Sequence, residues 1–119
     1  MEDNRFEKLE VWKKAHQLVL KIHKLTKSFP KEEKYSLVDQ LRRASASIAA
    51  NIVEGNERKT RKEFNQFLYV AKGSLAETKY FLILSRDLFY INKVDSDTII
   101  QEANEIGKMI NGLISYLKK

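Results

Sequence analysis

Apolar residues recur along this chain at alternating spacings of four and three, the period of an α-helix buried along one side. In the first run Val11, Ala15, Leu18, Ile22, Leu25 and Phe29 keep that alternation, and Leu9, Trp12 and Val19 widen the apolar face. The pattern predicts a first helix from about residue 7 to 28, opened by a capping box of Asn4 with Glu7. Lys13, Lys14, Lys21, Lys24 and Lys27 occupy the rest of its circumference. Such a basic face suits a membrane surface or, more commonly, simple solvation. Pro30, the only proline, disfavours helical geometry at Phe29 before it, so a break belongs here.

The second helix is predicted from about Tyr35 to Glu54, stopped by Gly55-Asn56 in the left-handed conformation common at helix C-termini. Val38, Leu41, Ser45, Ile48 and Ile52 form its core stripe. A second stripe of small residues, Ala46, Ala49, Ala50 and Val53, admits close approach by another backbone, which suggests cover on two sides. A third row, Ala44, Ser47, Asn51, Glu54 and Arg58, stacks its polar members one above the next. That row reads either as a ligand pocket or as a hydrogen-bonded network fixing helix register. The network is favoured, because nothing nearby completes a reaction centre.

Thr60 with Glu63 makes another capping box and opens the longest run, Phe64, Phe67, Leu68, Ala71, Leu75, Thr78, Leu82, Ser85 and Phe89. About 30 residues at 1.5 Å each extend on the order of 45 Å. Val70, Leu84 and Leu88 flank this seam, and Glu77 among them needs a partner that Arg42, Arg43 or Asn51 on helix 2 can supply, an internal salt bridge being expected. After a connection at Tyr90 to Lys93, Asp95 or Ser96 is expected to cap a last helix. Ile99, Ala103, Ile106, Ile110, Leu113 and Leu117 carry its seam. Short connections then predict an all-α, antiparallel, up-down-up-down, left-handed four-helix bundle, with helices crossing at about 20°. The bundle is expected to form one domain over residues 1–119.

Composition agrees with this architecture. The chain is 43% hydrophobic and 32% charged, and its four glycines and one proline leave little turn material for a β-rich fold. The absence of cysteine excludes disulfides and thiolate chemistry. A polar N-terminus and the lack of any long apolar run lead us to expect a cytoplasmic protein with no membrane span. The net charge of +6 raises the expectation of an acidic partner. That charge is localised, with six basic and two acidic residues between Arg42 and Lys62. From Val94 to Lys119 there are four acidic and three basic residues, two of the latter at the very end.

Catalytic chemistry is hard to find. A di-metal carboxylate site in a bundle needs Glu-x-x-His pairs. The pairs Glu7/Glu10, Glu54/Glu57 and Glu102/Glu105 have no histidine at that offset. His16 and His23 lie about two turns apart, too far for one metal ion. No phosphate-binding loop or dinucleotide fingerprint is present either. The expectation is a non-enzyme without cofactor.

The stretches ASIAANIVEGNER, FNQFLYVAKGSLAET and LEVWKKAHQLV strongly resemble the 23S rRNA-intervening sequence protein family of bacterial four-helix-bundle proteins, over nearly the whole chain. The family pattern falls on Leu9, Val11, Trp12 and Ala15, then on Ser47, Ala50, Asn51, Glu54, Gly55 and Arg58. It continues through Phe64, Phe67, Leu68, Ala71, Gly73, Ser74, Leu75 and Glu77. Ala49 departs from it, standing where many relatives carry proline. The family includes the accessory variability proteins of diversity-generating retroelements. The resemblance implies a ring-like homopentamer whose basic surface binds nucleic acid and a reverse transcriptase.

The leading expectation is an oligomeric scaffold that binds RNA or DNA through Arg42, Arg43, Arg58, Lys59, Arg61 and Lys62, because phosphate contact needs clustered cations more than a motif. The plain alternative is that these charges only solvate a turn, with Arg42 and Arg43 committed to Glu54 or Glu77. From another class comes a protein-interaction module for a reverse transcriptase or other protein, anchored by Tyr69, Tyr80 and Tyr90. An enzyme acting through Glu54 and Glu77 is the weakest reading.

Overall fold

The computed structural model describes residues 5–119, which form helices and turns with no strand among them. Asn4 lies outside the described residues, and with it the first capping box. A 3₁₀ turn at Arg5–Lys8 leads into α1 (Glu10–Thr26), and a second at Lys31–Glu33 leads into α2 (Leu37–Asn56). Then come α3 (Arg61–Asp87) and α4 (Lys93–Leu117).

Neighbouring helices run antiparallel, as cross-contacts at successive depths show. Ser74 on α3 donates to Ser47 on α2 while Phe67, earlier on α3, meets Gly55 further along α2. Asn65 and Lys79 on α3 bond to Ile114 and Asn104 on α4 in the reverse order. Lys21 on α1 bonds to Glu102 on α4. Each helix packs on two others, and α1 does not meet α3, nor α2 meet α4, among the described residues. This is an up-down-up-down four-helix bundle.

The seams form the core much as their spacing predicts. Leu18, Ile22, Leu41, Ile48, Ile52, Leu68, Leu82, Ile106 and Ile110 are fully buried. Each such aliphatic side chain contributes about 1.5–3 kcal/mol by leaving water. Several buried hydroxyls are satisfied within their own helix. Thr26, Thr78 and Ser85 donate to carbonyls four residues back, at 2.8, 2.8 and 2.7 Å. Two seam positions differ. Ile114 is buried where Leu113 was expected, and Phe89 is 92% exposed. Phe89 leaves the seam because the helix has already stopped. Its φ is +64°, and the bonds from Tyr90 N to Ser85 O and from Phe89 N to Arg86 O make a Schellman ending.

Gly55 has a different role from the expected one. Its φ is not positive and α2 continues through Asn56, so it is not a left-handed stop. A Cβ there would lie 2.8 Å from Phe67 Cβ and 2.9 Å from Phe64 Cδ1. Glycine is therefore what allows α3 to lie this close to the end of α2. The small-residue stripe of α2 is only partly covered, Ala49 being buried while Ala46 and Ala50 are exposed.

The caps divide similarly. Thr60 accepts from Glu63 N at 3.1 Å as expected. On α4 the cap is Asn92, which accepts from Asp95 N at 2.8 Å, so Asp95 sits inside the first turn. At this pole Glu33 accepts from Ser36 Oγ at 2.6 Å and from Tyr90 Oη at 2.7 Å, tying the α1–α2 connection to the α3–α4 turn. Tyr90 also packs on buried Phe29, with ring centroids 5.4 Å apart. It is consequently half-buried and committed, not a free aromatic anchor.

Substituting Gly55→Ala should destabilise the fold by about 1–3 kcal/mol, the usual cost of overpacking a tight contact, measurable by urea denaturation. Hydrogen bonds from Ser36, then Tyr90, hold the Glu33 carboxyl below its usual range. The stability this adds is full above the unfolded value near 4.5 and is lost as pH falls through the lowered folded value. The bond to Glu33 likewise raises the Tyr90 phenol, which adds stability below about 10 that is lost as pH rises through the folded value. Tyr90→Phe should flatten both limbs of the stability profile, and unchanged limbs would exclude this coupling.

Candidate nucleic-acid interface

The up-down course brings the end of α2, the start of α3 and the end of α4 to one pole of the bundle. There the turn Glu57–Thr60 presents Arg58 and Lys59, and the first residues of α3 present Arg61 and Lys62, all exposed. Arg58 is partly engaged, its guanidinium 3.7 Å from Glu54 and 4.6 Å from the Phe67 ring centroid. Arg61 lies 5.2 Å from the Tyr116 ring centroid and donates to the Lys119 backbone oxygen at 3.4 Å. Lys59 and Lys62 form no ion pair among the described residues.

The end of α4 adds cations that the linear sequence does not place beside this turn. Lys118 Nζ donates to Tyr69 Oη at 3.0 Å, and Lys119 lies against Arg61. Six basic residues therefore share the pole: Arg58, Lys59, Arg61, Lys62, Lys118 and Lys119. The sequence did carry a signal. Two of the last segment's three cations are at its very end, which an even number of antiparallel helices returns beside the second turn.

Arg42 and Arg43 are not on this surface. Fourteen helical residues at 1.5 Å each put Arg42 about 21 Å along the bundle from the end of α2 at Asn56, next to the turn that carries Arg58. Arg42 Nε donates to Thr26 Oγ1 at 2.9 Å and its terminal nitrogen to the His23 carbonyl at 3.2 Å, so it caps the end of α1. Burial first, then the charges of Arg42 and Lys27, lower the His23 pKa. Arg43 lies 3.6 Å from Asp39 on its own helix. Neither arginine pairs with Glu54 or Glu77.

The polar row of α2 is a bonded chain. Asn51 Nδ2 donates to the Ser47 carbonyl at 2.8 Å and to Ser47 Oγ at 3.0 Å, and Ser74 Oγ donates to Ser47 Oγ at 2.8 Å. It links α2 to α3 and fixes their register. Glu77 is exposed and makes no ion pair among the described residues, in contrast to the internal salt bridge expected for it. A shallow polar groove holds Glu77 with Arg43, Ala44, Ser47 and Ser74. Glu54 lies ten residues beyond Ala44, about 15 Å along α2. The two carboxylates do not form one site.

Two further clefts are more apolar. One of about 420 Å³ lies between α1 and α4, with Leu25 and Ile99 flanked by Lys21, Lys24, Asp95 and Glu102. The other, about 320 Å³, lies at the basic pole and is lined by Lys62, Asn65, Gln66, Tyr69, Leu117 and Lys118. The bond from Lys118, then the charges of Lys118 and Lys72, lower the Tyr69 pKa. No group of three or more His, Asp or Glu residues converges to hold a metal ion among the described residues. Among the described residues no helix is long and apolar enough to cross a membrane.

Comparison with known proteins bears on the same fold. A protein of unknown function from the S23 ribosomal protein family of Bacteroides thetaiotaomicron superposes with a TM-score of 0.81 at 30% identity. The match covers 87% of this chain and 97% of that one. No functionally curated protein shows significant similarity. The model of the 23S rRNA-intervening sequence proteins matches residues 7–112, a span holding all of α1, α2 and α3 and most of α4, so the chain belongs to that family.

Proposed function

We propose that this protein is a non-enzymatic, oligomeric scaffold that binds nucleic acid through its basic pole. The observation that carries this reading is the convergence of Arg58, Lys59, Arg61, Lys62, Lys118 and Lys119 from three helix ends onto one surface, with Lys59 and Lys62 exposed and outside any ion pair among the described residues. Clustered cations displace counterions from a phosphate backbone and require no base-reading motif. Arg42 and Arg43 have no part in this surface, given their contacts to α1 and Asp39.

An oligomer, the resemblance implying a pentamer, is supported by the outer face of α3. Gly73, Ala76, Tyr80 and Ile83 fall within a narrow arc of that helix and are all exposed. An apolar face of this kind is what subunit contact covers. Repetition of the basic pole around a symmetry axis would multiply its affinity for a long polyanion. The same face also favours a second reading, a module that docks on a protein such as a reverse transcriptase, with Tyr80 as anchor.

Salt dependence separates the two readings. Fluorescence anisotropy with labelled RNA and DNA at about 50 and 200 mM salt should show affinity falling steeply as salt rises, by about 10³–10⁵-fold if six to ten phosphates are engaged. A variant with Arg58, Lys59, Arg61 and Lys62 all changed to alanine, its fold verified by circular dichroism, should bind weakly and with a shallower salt slope. Absence of binding at low salt, or equal binding by the variant, would reject the basic pole. On the oligomer, Tyr80→Glu should lower the mass measured by light scattering, and an unaltered mass would remove this face from the contact.

A further inference from the structure

The cleft at the basic pole holds more than positive charge. Lys62, Asn65, Gln66 and Tyr69 follow one another at helical spacing along the first turns of α3, facing Leu117 and Lys118 across the cleft. Asn65 is the buried member of this lining, 7% exposed, and so forms its floor. Its Nδ2 donates to the Ile114 carbonyl at 3.4 Å. That contact fixes the amide orientation, since the reverse would set oxygen against oxygen. Asn65 Oδ1 is then left as a buried acceptor with no hydrogen-bond partner. Such groups are uncommon in native folds, and leaving one unmet is costly.

The wall of the cleft is the Tyr69 ring, 49% exposed. Lys118 Nζ lies 3.0 Å from the hydroxyl and 5.6 Å from the ring centroid. That difference nearly matches the centroid-to-oxygen length of the ring itself, so the ammonium sits beyond the hydroxyl near the ring plane. It steadies the ring at its hydroxyl end, while Lys72 Nζ on α3 stands over the ring, 5.6 Å from the centroid. The cleft thus combines an aromatic platform, a largely carbon lining and lysines at its rim.

From these features we propose that the cleft receives one unstacked nucleobase of a single strand. The base stacks on Tyr69, and the flanking phosphates meet Lys62 and Lys118. Stacking on an aromatic ring is the usual means of holding single strands, and a duplex, whose bases are already stacked and paired, cannot offer a base this way. The inference rests on the nucleic-acid reading above and specifies the form of nucleic acid that the basic pole takes.

The test is anisotropy at about 50 mM salt with three probes of equal length: a single strand of adenosines, the same strand with abasic sites, and a duplex. Tyr69→Ala, at a half-exposed position, should weaken the adenosine strand by about 5- to 150-fold, the range for losing one stacked base. It should leave the abasic strand unchanged, and Tyr69→Phe, which keeps the ring, should retain binding of all three. Equal binding of adenosine and abasic strands, or an adenosine affinity indifferent to Tyr69→Ala, would overturn the base cleft while leaving the electrostatic surface intact. Failure of every probe to bind would reject the basic pole itself, and the cleft with it.

Discussion

The close approach of α2 and α3 is the contact on which the rest of the bundle depends. At Gly55 the two helices come so near that a single added carbon would lie 2.8 Å from Phe67 Cβ. Further along the same interface Ser74 bonds to Ser47, and Ser47 to Asn51, so the pair is held in one register by directional bonds as well as by shape. α1 and α4 then pack against this pair from either side. Their own meeting is looser, and the grooves between them are edged by Lys21 and Glu102.

The same geometry determines the two poles. At one, Phe29, Tyr90 and Glu33 join the two connections by ring packing and a 2.7 Å hydrogen bond, and Arg42 spans from α2 to the carbonyl of His23. The polar groups of Glu33, Tyr90 and Arg42 are thereby consumed by structure. At the other pole the short turn after Gly55 leaves Lys59 and Lys62 exposed, and α4 ends beside them with Lys118 and Lys119. It is this second pole, where the ends of α2, α3 and α4 bring their cations together, that we propose as the surface for a polyanion.

Much of the fold is legible in the residue order because it rests on local rules. Four-three spacing places Val11, Leu41, Leu82 and Ile106 in the core wherever their helices pack, and Thr60 with Glu63 caps α3 through atoms three residues apart. Where local rules left a choice, contacts from elsewhere decided it. Asn92 took the cap of α4 from Asp95, and Phe89 turned out of the seam once the Schellman bonds closed α3. Gly55 read as a stop because glycine usually ends helices, whereas here its missing Cβ makes room for another helix.

The sequence by itself determined the helices, their apolar faces, the antiparallel bundle and a basic segment from Arg42 to Lys62, since spacing and charge are properties of the chain alone. Only the tertiary structure divided that segment, giving Arg42 to α1 and Arg43 to Asp39 while leaving Arg58, Lys59, Arg61 and Lys62 at the far pole. It also joined Lys118 to Tyr69 and left Asn65 Oδ1 without a partner in the cleft they share. The physical reason is distance. Side chains 49 residues apart in Tyr69 and Lys118 meet only when α4 folds back along α3, and no periodicity within either helix encodes which residues of the other will lie opposite.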